Sequence, residues 1–316
     1  MERAKRILVV GSSNTDIMMH VPRNPRSGES LIIRDQFTGI GGKGSNRAIA
    51  LSRLGADVQF CCKLGMDAGG RAIALAYERE QLSTELILYD EQLGTGTAYV
   101  LIDDNGSNTI LSYMGANDSF NRSDIARLTA LLPRFQYLSL ELECSLSLIE
   151  ELMHQAGQLE LCAIVDAGPA RDIALSTFRN AYILSPNETE AAQLTGIEII
   201  KEADAREACR KLYESGCGNV LLKRGSRGAL LYDGAEFLQF PAYPAGQVLD
   251  TTAAGDCFMA ALTYALTLHS NLPRAVQYAN IAAGISVTRR GAIASLPWRD
   301  EVSAACARAE QEGYLQ

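Results

Sequence analysis

The segment Leu249-Asp250-Thr251-Thr252-Ala253-Ala254-Gly255-Asp256 carries more information than any other in this 316-residue chain. Ala253, Ala254 and Gly255 are small residues at the start of a predicted helix that runs to about residue 268. The first amides of a helix have no intrahelical acceptor, and the helix dipole makes that end attractive to negative charge. Asp256 falls in the first turn, beside the same anion. Capping alone explains an isolated acid at a helix start. Its company shifts the balance: small residues let a phosphate approach the backbone, and a glycine-rich segment lies far upstream. The pattern predicts a phosphoryl-transfer site, with Asp256 as base and the amides of 253–256 as anion hole.

The upstream segment is Gly39-Ile40-Gly41-Gly42-Lys43-Gly44-Ser45-Asn46, a formal G-x-G-x-x-G match. In a dinucleotide fold those glycines follow the first core strand and an acid closes the second. Here the first core strand is expected to end at Gly11, and the strand expected at 58–63 closes on Lys63, so a dinucleotide site is disfavoured. No G-x-x-x-x-G-K-[ST] segment occurs, which removes a P-loop. What remains is a glycine loop whose amides, with Lys43 and Asn46, grip a polyhydroxylated ligand. A tight turn into a helix accounts for the glycines but not for Lys43 and Asn46.

Composition narrows the class. A 47% hydrophobic content in 316 residues supports a large core, read as one domain over 1–316 with a small appended lid. A formal charge of -8 and a pI near 5.1 argue against nucleic acid or a basic membrane patch, so a phosphate must be held locally. The apolar run 7–10 is too short for a signal or a span, and the expectation is a soluble cytoplasmic protein. Eight cysteines without a Cys-x-x-Cys pair read as reduced core residues, and His20, His154 and His269 join no cluster.

Strands are expected at 6–11, 58–63, 137–141, 161–166, 181–185 and 220–223, alternating with helices at 43–54, 69–80, 145–157, 188–194 and 203–215. That alternation implies a three-layer α/β/α sandwich with a mostly parallel central sheet. A hairpin is expected at 228–240 near one edge, and a mainly helical tail after residue 254. Strands at 16–21, 29–38, 96–102 and 108–114 are not interleaved with helices, and the last two flank a turn-like Asp103-Asp104-Asn105-Gly106. They are read as a small β-sheet lid built from about 14–40 and 95–115. Open parallel sheets bind ligands beyond the carboxyl ends of their strands, which should bring Gly11 to Asp16, Glu141 to Glu143, Asp166, Asn187 and Gly225 to one edge.

Several residues at that edge admit two readings. Asn14 and Asp16 at alternate positions can share one face and bind vicinal hydroxyls, or each can make an Asx turn. Glu143 can bind a further hydroxyl or be a surface acid. Asn187 and Glu190 form a capping box that could also orient water around a metal ion. Lys223-Arg224-Gly225-Ser226-Arg227-Gly228 can cover a nucleotide or be a solvated hairpin loop.

Together, Gly11-Ser12-Ser13-Asn14-Thr15-Asp16, Gly41 to Asn46, Ser185-Pro186-Asn187-Glu188-Thr189-Glu190 and Asp250 to Asp256 resemble the ribokinase-like (PfkB) carbohydrate kinases, over about 7–298. The resemblance implies ATP-dependent phosphorylation of a sugar's primary hydroxyl, with Mg2+ and often K+. By position it implies that Asn14, Asp16, Gly42, Lys43, Asn46, Glu143 and Asp256 hold the sugar. Asn187, Lys223, Gly225, Ser226, Gly228, Gly255 and Asn280 would surround the nucleotide, with Glu190 near the water shell of Mg2+. Asp250, Thr252, Ser286, Arg289, Gly291 and Ser295 would supply a K+ site, and the lid would form a homodimer. Keeping Asn14 and Asp16 ranks ribose above deoxyribose. A ketose or nucleoside kinase and a non-catalytic sugar-binding regulator are the alternatives. Departures from the pattern are Cys257 after the base, Lys223-Arg224 in place of a neutral pair, and Asp166-Ala167-Gly168-Pro169 in place of an Asn-Pro-Ala-Pro type segment.

Overall fold

The computed structural model describes residues 5–104, 108–268 and 271–315, so the turn expected at 103–106 lies partly outside the described residues, as does His269. In chain order the first half holds β1 (Ile7–Val10), β2 (Asn14–His20), β3 (Asp35–Gly41), α1 (Lys43–Arg53), β4 (Val58–Gly65), α2 (Ala68–Arg79), β5 (Ile87–Asp90), β6 (Gly96–Ile102), β7 (Asn108–Tyr113) and α3 (Arg122–Leu131). The second half holds β8 (Tyr137–Leu140), α4 (Leu146–Gln158), β9 (Cys162–Asp166), β10 (Ala181–Ser185), α5 (Glu188–Thr195), α6 (Glu202–Tyr213), β11 (Val220–Lys223), β12 (Ala229–Tyr232) and β13 (Phe237–Phe240). It closes with α7 (Ala254–Leu268), α8 (Leu272–Ser286) and α9 (Arg299–Gln311).

Nine strands form the main sheet in the order β13-β12-β11-β10-β9-β8-β1-β4-β5. All pairs from β11 to β5 are parallel, and the β11-β12-β13 edge is antiparallel. The layers follow from the two-residue period of a strand. Ile7 and Val9 face the layer containing α1, α7, α8 and α9, and Leu8 and Val10 face the one containing α4 and α6. Cys61 and Cys62 divide in the same way, so these adjacent thiols point into opposite layers. All eight cysteines are free, and six are buried. β2, β3, β6 and β7 make the separate small sheet, in the order β3-β2-β6-β7.

Two elements were not anticipated and one was misplaced. β5 is a four-residue edge strand with little pattern to read. α3 carries its own start signal, since the Asn121 side chain accepts from the amides of Ser123 and Asp124 while the Asp124 carboxylate accepts from the Asn121 amide. Lys63, the cation closing β4, binds Asp124 at 2.8 Å. The strand expected at 29–38 is Asp35–Gly41, because Glu29 instead closes a turn by accepting from Arg23 at 2.6 Å and from the Arg26 amide at 3.0 Å.

Ile164 sits fully buried in the middle of β9 with β8 and β10 on either side. Ile164→Ala should lower the unfolding free energy by about 2–5 kcal/mol in urea titration, through lost transfer energy and the cavity left behind.

Candidate active site

The site starts where β1 ends. A Cβ on Gly44 would lie 2.6 Å from the Gly11 Cα, and one on Gly42, at φ +93°, would lie 2.8 Å from the Ser12 oxygen. These glycines therefore let the first turn of α1 rest directly on the backbone that leaves β1. From there α1 presents Lys43, Asn46 and Arg47 at i, i+3 and i+4, one face of a helix. The Asn46 Nδ2 donates to Asp256 Oδ2 at 2.9 Å, so the glycine loop and the opening of α7 meet.

Asp256 is 5% exposed in the first turn of α7. Ala253, just before the helix, has φ +58°, a left-handed backbone that is uncommon for a residue with a Cβ. Its carbonyl accepts from the Cys257 amide at 2.8 Å, and the Ala254 amide reaches Thr251 at 3.2 Å. Among the described residues no backbone carbonyl accepts from the amides of Gly255 and Asp256. A Cβ built on Gly255 meets nothing within 4 Å, so the space beside this helix start is open. Free donors, a helix dipole and room are what an oxyanion needs.

Carboxylates crowd the side of the site toward the small sheet. The Glu143 Oε2 accepts from Ser12 Oγ at 2.6 Å and from the Lys43 amide at 3.4 Å. Glu141, buried below it, accepts from the Ser12 and Glu143 amides. Burial, then Glu143, raises its proton affinity. Asp16 stands on β2 against Gly41, and its pKa is pushed up to about 7, chiefly by burial and further by Glu143 and Asp256. Asn14 is held by Asn117, whose Nδ2 donates to Asn14 Oδ1 at 2.7 Å.

Cations sit on the opposite side, around Asp166 at the end of β9. The Arg47 Nη2 donates to it at 2.5 Å, Lys223 Nζ also donates, and Lys43 Nζ lies 4.0 Å away. Burial alone would raise the Asp166 pKa, but Lys223, Arg47 and Lys43 hold it well below the usual carboxylate range. Burial works against the charged form of Lys43 as well. Asp256, Asp166, Glu143 and Glu190 outweigh it and strengthen the hold on its proton.

Farther along the sheet edge the capping reading of α5 holds. The Glu190 amide donates to Asn187 Oδ1 at 2.8 Å and the Asn187 amide to Glu190 Oε2 at 2.7 Å. Glu190 remains 8% exposed and faces Gly168. Gly225 and Gly228 have φ +55° and +80° in the turn from β11 to β12, with Ser226 exposed between them. The guanidinium groups of Arg224 and Arg227 are taken up by Glu188, and Arg224 by Glu202 too. Asn280 on α8 donates to the Pro241 carbonyl at 3.2 Å.

The last expected group is assembled in part by Asp250. Its Oδ1 accepts from Thr252 Oγ1 at 2.7 Å and the Thr252 amide at 2.9 Å, and its Oδ2 from the Gly291 amide at 2.8 Å. Burial opposes these bonds, which with Arg290 nevertheless keep its pKa low. Ser286 and Ser295 turn their hydroxyls to local carbonyls, and Arg289 pairs with Glu301. Among the described residues there is no group of three or more His, Cys, Asp or Glu that could hold a metal ion by itself.

Sequence reasoning missed Arg47 and Asn117. Arg47 had a signal, since a cation four residues after Lys43, directly before the apolar run Ala48-Ile49-Ala50-Leu51, shares the helix face of Lys43. Asn117 follows a glycine turn between elements and had none.

A family model described as pfkB family carbohydrate kinase matches residues 4–299. The chain belongs to that family and is a kinase that transfers phosphate to a sugar. It is similar to the ribokinase of Haemophilus influenzae, 31% identical with 94% of this chain and 97% of that protein covered. It also resembles the mouse ribokinase, 30% identical over 95% of this chain and 94% of the other. A bifunctional ribokinase/ribose-5-phosphate isomerase A of Fructilactobacillus sanfranciscensis is 32% identical, and this chain spans 55% of its length. Among solved structures, an Arabidopsis thaliana ribokinase complexed with ribose and ATP superposes with TM-score 0.87 at 30% identity, covering 96% of this chain and 98% of that one.

The resemblance assigns Asp16 to the sugar, and in that role its raised pKa would give sugar binding a pH dependence. Hydroxyl donors prefer the ionised carboxylate, so sugar affinity should rise with pH by up to about tenfold per unit below 7 and level off above it. Asp16→Asn should raise the sugar KM about 100-fold and abolish that slope in calorimetric titration. The folded pKa lies above the unfolded value near 3.9, so the carboxylate's cost to stability grows as pH rises between the two. Asp16→Asn should therefore raise Tm at pH 8 more than at pH 5.

Proposed function

We propose that this protein transfers the γ-phosphoryl group of ATP to the 5-hydroxyl of D-ribose, yielding ribose 5-phosphate and ADP. The supporting observation is that Asp256, at the open amino end of α7, is buried and bonded to Asn46 of the glycine-loop helix. That bond supports a reading in which base, anion-binding amides and candidate sugar residues act together. The similarity to ribokinases at about 30% identity over nearly their whole length supports the choice of sugar.

Asp16, Glu143, Asn14, Asn46 and Lys43 hold the sugar through its hydroxyls, with the Gly42 turn beneath it. Asp256 takes the proton of the primary hydroxyl as its oxygen bonds to the γ-phosphorus and the bond to ADP breaks. The free amides of Gly255 and Asp256, with Ala253 and Ala254 shaping the turn, neutralise charge on the equatorial oxygens. Asn187, Lys223, Gly225, Ser226, Gly228 and Asn280 contact the nucleotide. Glu190, with one oxygen left free by the capping box, fits a hydrated Mg2+, which when bound offsets the charge of the phosphates. The carboxylate of Asp250, tied to Thr252 and Gly291, with Ser286, Arg289 and Ser295 nearby, fits K+, which would brace the anion hole from behind. The Arg289 guanidinium is occupied by Glu301 and does not oppose a cation there.

A homodimer through the small sheet fits the same reading, with all of 1–316 as one kinase domain and that sheet as its lid. Asn14, Asp16 and Met18 share one face of β2, and strand register sets Tyr99, Leu111 and Tyr113 on the opposite face, where they are 40%, 60% and 49% exposed. No helix among the described residues is long and apolar enough to cross a membrane.

Coupled ADP release across pentoses, hexoses and nucleosides, with and without K+, tests the assignment. Ribose should have the highest kcat/KM, with deoxyribose well below it, and Asp256→Asn should lower kcat about 10²–10⁴-fold while sugar binding survives. Near-normal turnover in that variant would remove Asp256 from the role of base. In light scattering, Leu111→Asp should shift the mass from dimer to monomer by placing a charge on an apolar contact face.

A further inference from the structure

The Arg47 side chain has no exposed surface, although it lies one helical turn from the pocket. Its guanidinium makes three separate approaches. Nη1 donates to the Leu140 carbonyl at 2.8 Å, at the end of β8, and Nη2 donates to Asp166 at 2.5 Å, at the end of β9. Nε points to Asp256 Oδ1 across 3.6 Å. That last pair is unusual, because both Nε and Oδ1 are buried and neither has a hydrogen-bond partner. A buried donor and a buried acceptor thus face each other a few tenths of an ångström beyond bonding distance. The other Asp256 oxygen is already fixed by Asn46, the residue next to Arg47 on α1.

We infer that Arg47 is a positioning residue for phosphoryl transfer: from beneath the pocket it fixes the orientation of the Asp256 carboxylate and ties it to the Asp166–Lys223 pair on the nucleotide side. The inference rests on the proposed role of Asp256 as base. Its chemical basis is charge. Asp16 feels the like charges of Glu143 and Asp256 on top of the burial that chiefly raises its pKa, so an unanchored Asp256 carboxylate would turn away from it. Arg47 cannot turn with it, because two of its three nitrogens are anchored to strand ends. Being inaccessible, it touches neither sugar nor ATP and acts only through Asp256.

Two thermodynamic cycles test this, read as kcat and the KM of each substrate. Arg47→Gln should lower kcat about 10–100-fold with both KM values changed less than about threefold, and Arg47→Lys should recover part of that loss. In an Asp256→Asn background, Arg47→Gln should cost less than about twofold further, because the group it positions is gone. A full further loss in that background would show that Arg47 acts elsewhere and would overturn the inference. Asp166→Asn supplies the second cycle. If Arg47 were only the counter-ion of Asp166, the Arg47→Gln/Asp166→Asn double variant would regain wild-type kcat, which also overturns it. A folded double variant that keeps the low kcat supports it, and this arm stays readable if the single variant is too unstable to purify. Failure of Asp256→Asn to slow turnover would sink the base assignment itself, an outcome separate from either cycle.

Discussion

Two backbones touch where the first strand ends, and the placement of every reactive group follows from that contact. No side chain fits between Gly44 and Gly11, so the first turn of α1 lies flush on the loop leaving β1. One methyl group at this crossing would lift the helix by an ångström or more. Lys43, Asn46 and Arg47 would then no longer reach Asp166 and Asp256, and hydrogen bonds between elements 210 and 119 residues apart in sequence would be lost. Distances of this order decide whether a base and an alcohol can react. The glycines therefore act on chemistry through geometry rather than through contact with a ligand.

Around that contact the molecule gathers more buried charge than stability alone would favour. Asp16, Glu141, Glu143, Asp256, Asp166 and Glu190 meet Lys43, Arg47 and Lys223 within one site. The two signs interleave, since Lys43 and Arg47 interact with Asp256 as well as with Asp166. Burial, with Glu143 and Asp256 nearby, leaves Asp16 with a proton affinity far above that of an ordinary aspartate, while Lys223, Arg47 and Lys43 hold Asp166 ionised. Divergent environments for like groups are a mark of functional sites, where stability is sacrificed to keep reactive groups poised.

Much of this was legible in the residues. Alternation of apolar runs with helical periods gave the parallel sheet, and the switch to polar alternation after Gly11 marked the small sheet. The meeting of the segment after Gly11 with Glu143 followed from the rule that parallel strands present ligand groups at one edge, while Asn46 and Asp256 were flagged by the glycine loop and the helix start. What stayed hidden had physical causes. β5 is too short and too near the edge to show a period. Glu29 closes a local turn that delays β3 by six residues relative to the expected start at 29. Arg47 was overlooked because an arginine inside an apolar helix face looks like an exception to burial, and only the carboxylate ends of other strands explain it. The pairing of Lys223 with Asp166 likewise depends on strand order, which sequence periodicity does not reveal.

The small sheet has one more property. Asp16 belongs to β2, paired in register with Gly39 on one side and Ala98 on the other, so it moves as part of that sheet and not of the main body. Glu143 and Asp256, which raise its pKa, belong to the main body. If the sheet works as the proposed lid, opening it would carry a carboxylate away from two others, and the pocket's local potential would change together with its width. Shape and field are one mechanical coordinate here: opening relieves repulsion, and closing over a ligand must bring that repulsion back.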